Sequence, residues 1–250
     1  MTTVKNIYDF LDRLIDFSTQ ESWDNSGFLI GAFRSEVKKA VISLDVTKEV
    51  VNFAKEQNAD LILSHHPVIF SGEKSVLSNS VVYDCIKNSV SVISCHTCLD
   101  KADGGINNIL VELLNARVIE KSTNGFLTFA ELENEVTLHD FAKNVANKLD
   151  SKAVRYAGSE RPVKKIAVCS GAGDNDFVVE AQNYGADVYL TGDMKYHEML
   201  DAEQNGFAVV SAGHFETEYL PTVMFFEKLK NVFTDVEFLS ANQINSIKTV

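Results

Sequence analysis

The chain has 250 residues, 45% of them hydrophobic and 23% charged, and its 23 Lys+Arg against 35 Asp+Glu give a formal net charge of −12. That length buries a core without disulfide or metal staples, and three prolines with 13 glycines exclude a collagen-like or proline-rich chain. The acidity argues against a nucleic-acid partner, whose phosphates are held mostly by Lys and Arg, and no apolar run reaches the roughly 18 residues of a membrane span.

Val4, Ile7, Phe10, Leu11, Leu14 and Ile15 stand at helical spacing behind Thr2 or Thr3 as a cap, and the charges among them leave no apolar signal core. A polar turn over 21–27 leads into Phe28-Leu29-Ile30. Strands and helices then alternate: strand 40–44, helix 47–58, strand 61–63, helix 81–87, strand 89–95 and helix 105–114. Ser122-Thr123-Asn124-Gly125 is a turn cluster that places a domain boundary. Beyond it the pattern predicts strands over 126–131, 153–157, 165–170, 187–191, 207–211 and 236–239. Helices are predicted over 137–148, 176–184, 196–204 and 221–231. This alternation is the pattern of an α/β fold with parallel strands between helical layers.

Residues 40–66 align without gaps on residues 167–193. One step recurs downstream, where His96-x3-Asp100 and His214-x3-Glu218 each follow an apolar strand. The chain therefore reads as two related α/β domains, each presenting a strand end followed by a His-x3-acid step. The first comprises 1–124 with 215–250 and the second 125–214.

Functional groups in α/β sheets gather where strands end. Ser64-His65-His66-Pro67 follows one strand, and Pro67 disfavours helix at His66, so the two imidazoles project differently and suit two neighbouring ions better than one. The four-residue step puts His96 and Asp100, and His214 and Glu218, on one helical face. Imidazole with carboxylate favours Zn, Fe, Mn, Ni or Co over Ca or Mg. Two divalent ions bring more charge than Asp100 and Glu218 return, so an anionic substrate is attracted despite the acidic surface. Such ions ~3.5–4 Å apart lower the pKa of water and clamp an oxygen during hydrolysis.

Other features carry less. His139 reads as a surface residue and His197 as a flank of the cleft. Cys95-x2-Cys98 could be a redox pair or half a zinc ribbon, but Cys85 and Cys169 are isolated, and four cysteines in this pattern read as reduced cytoplasmic thiols. Gly171-x-Gly173 lacks the third glycine of a dinucleotide fingerprint. Gly104-Gly105 opens a helix and reads as an ordinary turn, although its amides could receive a phosphate. Phe225, Phe226 and Phe233 read as core or subunit contact.

In order along the chain, Glu21-x-Trp23-Asp24-Asn25-x-Gly27, Ser43-Leu44-Asp45-Val46-Thr47, His65-His66-Pro67, His96-Thr97-x-Leu99-Asp100, Asp103-Gly104-Gly105-x-Asn107 and Gly213-His214-x3-Glu218 resemble the GTP cyclohydrolase 1 type 2 homolog family, also called the Nif-three-like dinuclear metal-binding family. The resemblance implies two three-layer α/β domains with mixed sheets flanking a metal-binding cleft, and ligand roles for His65, His66, Asp100, His214 and Glu218, with the two carboxylates shared between ions. It implies a place for His96 close to the metals, either supporting their ligands from behind or in proton transfer, and a ring-shaped homohexamer. Two departures stand out. No room remains for the additional domain some members carry, and Cys98 stands where the family usually has a residue such as Asn.

Two functions share these ligands. One is a metal-dependent hydrolase acting on a nucleotide or another phosphorylated heterocycle, with His96 as acid or base. The other is a metal carrier or cofactor-assembly protein without turnover. A ring that docks DNA suits a charge of −12 poorly.

Overall fold

Thr3 starts the first helix: its hydroxyl accepts the Asn6 N–H while the Asn6 side chain accepts the Thr3 N–H. The computed structural model describes residues 1–248. In chain order its elements are α1 (Val4–Ile15), β1 (Gly27–Ile30), β2 (Lys39–Ser43), α2 (Lys48–Glu56), β3 (Leu61–Ser64), α3 (Val81–Lys87), β4 (Ser91–Ser94) and α4 (Thr97–Lys101). They continue with α5 (Ile106–Leu113), β5 (Ala116–Lys121), β6 (Thr128–Thr137), α6 (Leu138–Leu149), β7 (Arg155–Ala157), β8 (Pro162–Ala172) and α7 (Asn175–Tyr184). The last are β9 (Val188–Asp193), α8 (Tyr196–Gln204), β10 (Ala208–Ser211), α9 (His214–Glu227) and β11 (Glu237–Ser240). Among the described residues no helix is long and apolar enough to cross a membrane.

The chain divides by contact into two compact units, 1–103 with 222–244, and 104–221 with the residues from 245. The division falls elsewhere than the boundaries read from the sequence, at 124 and 214, and the reason is pairing. Ser122–Gly125 is the turn of a hairpin, because β5 pairs antiparallel with β6, and α5 packs its Leu110 and Val111 into the core under that sheet.

The first unit holds a sheet of order β1-β4-β3-β2-β11. β11, β2, β3 and β4 run parallel and β1 is an antiparallel edge on β4. β3 and β4 are buried along their whole length, as parallel strands covered on both faces must be. Val50, Val51 and Ala54 of α2 and Val82 and Cys85 of α3 pack onto Val41, Ile62 and Val92 of that sheet.

The second unit's sheet has the order β5-β6-β8-β9-β10-β7. β8, β9 and β10 are parallel, and β6 and β7 lie antiparallel on either side. Residues of β9 alternate between its faces. Val188 and Leu190 join Phe141 and Val145 of α6, while Tyr189 joins Val178 and Ala181 of α7 and Met199 of α8. The unit is thus a mixed sheet between two helical layers.

The two units repeat one arrangement: three parallel strands with an antiparallel edge strand on the last. The gap-free alignment has the element order right and the register one residue out, because Ala40 pairs with Leu61 in the first unit whereas Ile166, not Ala167, pairs with Val188 in the second. One strand escaped the sequence, and one helix starts earlier than its spacing predicts. β5 is a largely exposed edge strand without a strong apolar alternation. α9 begins at His214 and runs through Pro221, which was read as its start. A proline there forfeits the bond its missing N–H would make one turn back and crowds the carbonyl it would have met, and the buried Phe225 and Phe226 beyond it hold the helix to the core.

Candidate metal centre

In the first unit the carboxyl ends of three neighbouring parallel strands carry Asp45, then His65 and His66, then His96. His65 is fully buried, with Nδ1 2.7 Å from the Cys95 carbonyl oxygen and Nε2 3.6 Å from Asp100 Oδ1. His66 Nδ1 lies 2.7 Å from Asp45 Oδ1. His96 Nδ1 lies 2.7 Å from Asp24 Oδ1. The three rings stand 5.1 to 5.5 Å apart by centroid, and one nitrogen of each falls within 4.8 Å of the others. Asp100 comes from the first turn of α4, and its carboxylate lies toward His65.

Each histidine is held from behind. The Asp24 side chain is completely buried. Its Oδ1 accepts His96 Nδ1–H and the Asn25 N–H, and its Oδ2 accepts the Thr97 N–H at 3.1 Å, the Thr97 hydroxyl at 2.6 Å and the Ser26 hydroxyl at 2.9 Å. Burial alone would raise its pKa, but these bonds and the facing imidazole hold the carboxyl well below the usual carboxylate range. It is therefore a fixed acceptor, and the tautomer it selects for His96 carries the proton on Nδ1 and leaves Nε2 as acceptor. Asp45 is held in turn by Gln243, whose Oε1 accepts the Leu44 N–H at 2.6 Å and the Asp45 N–H at 3.3 Å while its Nε2 donates to the Asp45 carbonyl at 3.0 Å.

The second unit carries a smaller set at the same edge of its own sheet. His214 opens α9, and Glu218, one turn on and buried, places Oε2 3.1 Å from His214 Nε2. Asp193, ending β9, lies 3.2 Å from His214 Nδ1. Gly171, near the end of β8, has φ +65°, and a Cβ there would overlap Glu218 Oε1 and stand 3.3 Å from His214 Nε2. Its N–H donates to Thr217 Oγ1 at 3.1 Å. The absent side chain leaves room for the carboxylate, which explains this glycine better than a dinucleotide loop.

The first unit therefore brings His65, His66, His96 and Asp100 together, and the second brings His214 and Glu218 together. His139 is exposed, with Nδ1 2.9 Å from Tyr156 Oη, and His197 is exposed against Tyr196; neither joins a cluster. Cys95 and Cys98 are both buried. Burial raises both thiols, Cys98 to about 11, so neither is a thiolate at neutral pH and the redox reading loses its nucleophile. Asn107 stitches α5 to its own sheet, accepting the Ser170 N–H and donating to the Phe126 carbonyl. Asp24, Asp45, Asp193 and Gln243 received no role from the sequence. Asp24 and Asp45 stand in the motifs that carry the family resemblance, and the internal alignment sets Asp193 opposite His66.

The donor chemistry fits a transition-metal ion. In both units every clustered histidine has Nδ1 engaged by a carboxylate or carbonyl oxygen, the arrangement that fixes ring and tautomer for Nε2 to bind a cation. The molecule is an α/β protein whose strand ends carry histidine and carboxylate groups that could hold a metal ion. The chain belongs to the family described as Duf34/NIF3 (NGG1p interacting factor 3), whose model matches residues 2–246. It is 32% identical to a "GTP cyclohydrolase 1 type 2 homolog" of Clostridium perfringens over 96% of both chains. It is 33% identical to one of Campylobacter jejuni over 92% of both. Among solved structures it is similar to Staphylococcus aureus protein SA1388, with TM-score 0.91 and 26% identity, covering 100% of this chain and 99% of that one. It is similar also to reduced HcgD from Methanocaldococcus jannaschii, with TM-score 0.84 and 26% identity, covering 97% of this chain and 98% of that one.

Proposed function

We propose that the protein is a metal-dependent hydrolase of a nucleotide or another phosphorylated heterocycle. Two divalent ions, Zn, Fe or Mn, are held by His65, His66, Asp100, His214 and Glu218. The observation that carries this is the set of Nδ1 anchors on His65, His66, His96 and His214. Surface histidines gain nothing from four such supports, whereas a ligand set needs them. The names of the relatives support a nucleotide as substrate, and the surplus positive charge of two divalent ions suits an anionic one.

Bound ions would supply Lewis acidity and a lowered pKa for water. The chain's own residues do the rest. Asp24 holds the proton on His96 Nδ1, so His96 can take a proton at Nε2 and return it to a leaving group. The Cys95 carbonyl and Asp45 keep the His65 and His66 rings in one orientation, so that no rotamer search accompanies binding. On the same reading the protein is a cytoplasmic homohexamer.

The test is metal analysis after reconstitution with Zn, Fe and Mn, followed by a nucleotide hydrolysis screen with His65→Ala as control. Two ions per chain and turnover lost in the variant are expected. Stoichiometry well below two removes the paired-ion site. Turnover that survives His65→Ala removes the enzyme, and two exchangeable ions without any turnover leave the carrier.

A further inference from the structure

The chain holds one tryptophan, and Trp23 stands 56% exposed. The turn that carries it is not loose. Glu21 N–H donates to Thr97 Oγ1 at 3.0 Å, Ser26 N–H to Gln20 Oε1 at 2.6 Å, and Asp24 is bonded on both oxygens. Asn25 Nδ2 donates to the Ile69 carbonyl at 2.6 Å and so ties this turn to the loop after His66. That bond sets Phe70, 51% exposed, beside Trp23, with ring centroids 5.9 Å apart and planes 24° from parallel. Both rings stand 5.9 Å from the His96 ring, at 74° and 67° to it. Two half-exposed aromatic rings are thus held firmly against the residue assigned to proton transfer.

The spacing decides how they can be used. A ring sandwiched between two others needs them about 7 Å apart at van der Waals contact, so this pair is a platform with an open face rather than a jaw. Its size decides what it can take. Two aromatic side chains span about 150–250 Å² each and roughly half of that is exposed here, far short of the roughly 800 Å² per partner of a stable protein interface, but matched to one flat molecule.

We propose that Trp23 and Phe70 form a stacking platform that receives the flat heteroaromatic ring of the substrate and sets it beside His96. The assignment deepens the proposed function and rests on it for the role of His96. Stacking recognises a π face and tolerates which base carries it, so this pair selects aromatic rings against sugar phosphates that lack one and leaves the choice between purines to other groups.

Because Trp23 is the single tryptophan, its fluorescence reports on this spot alone. The full chain, metal-loaded and metal-depleted, is titrated with guanosine monophosphate, adenosine and ribose 5-phosphate, exciting at the red edge of indole absorption. The first two are expected to quench saturably in both forms and ribose 5-phosphate is not. Phe70→Leu is expected to weaken binding by about 5- to 150-fold with unchanged circular dichroism. Absence of saturable quenching, equal quenching by ribose 5-phosphate, or ligand-free emission that shifts with protein concentration as a second copy covers the ring would each overturn the platform. Quenching by metal-depleted protein together with an absence of turnover would sink the hydrolase and spare the platform. Turnover without quenching would do the reverse.

Discussion

Asp24 shows how much of a site hides behind the residues that carry the chemistry. Its Oδ2 accepts three donors, Thr97 N–H, Thr97 Oγ1 and Ser26 Oγ, while Oδ1 faces His96. In Asp24→Asn the amide oxygen must take the three-donor side, so the NH₂ turns to His96 Nδ1 and moves the imidazole proton to Nε2. Nitrogen-15 NMR of the His96 ring is expected to show that exchange of tautomers, with turnover falling about 10²–10⁴-fold, the range of a lost acid–base step. A fall in activity with the tautomer unmoved would reject it. Because the folded Asp24 carboxyl titrates below its ordinary value, its stabilisation is complete above about pH 4 and is lost as pH falls further. The same Asp24→Asn substitution is expected to flatten that acid limb of a denaturation profile. Gly171→Ala tests the other unit. A left-handed φ costs an alanine about 1–2 kcal/mol, and the methyl must displace Glu218, so metal analysis is expected to show a lost ion. The histidines were legible because His-His-Pro and the two His-x3-acid steps are local patterns. Their partners were not, since Asp24 and His96, or Asp45 and Gln243, meet only in the fold.

At the scale of elements, the repeat contains a device the alignment had already paired without explaining. Asp60, just before β3, accepts the Lys38 and Lys39 N–H groups with Oδ2 at 2.8 and 3.1 Å. Asp187, just before β9, accepts the Lys164 and Lys165 N–H groups at 2.9 and 2.8 Å. Each aspartate clips the start of one strand to the start of its parallel neighbour. The clip explains why an Ala-Asp pair recurs at 59–60 and 186–187. Asp60→Ala and Asp187→Ala leave two partly exposed N–H groups to water, and each is expected to lower unfolding free energy by about 1–2 kcal/mol in urea titration. Equal effects would show that the units use the clip alike. The buried strands were legible because short apolar runs bounded by polar residues survive in any register. The one-residue shift between units was not, because pairing partners are chosen across the sheet.

Over the whole molecule, the four cysteines are all buried. The native protein is expected to label slowly with a thiol reagent at neutral pH, and to yield four reactive thiols once unfolded. Rapid native labelling of Cys98 would contradict its burial. The fold class and the two-part plan could be read from alternation and self-similarity alone. The boundary between units could not, since it depends on β5 joining the second sheet rather than the first. The sheet orders also set a timetable. β2 finds its neighbour β11 only after about 200 further residues are synthesised, roughly 10–40 s at ordinary elongation rates. Every strand of the second sheet is complete by Ser211. The half that leaves the ribosome first is therefore finished last, and Gln243, the strut behind Asp45 and His66, arrives later still. Until then a nascent chain carries the His66 ring without its full bracing, so on the proposed reading a metal would meet its finished ligands only after Gln243 has been made.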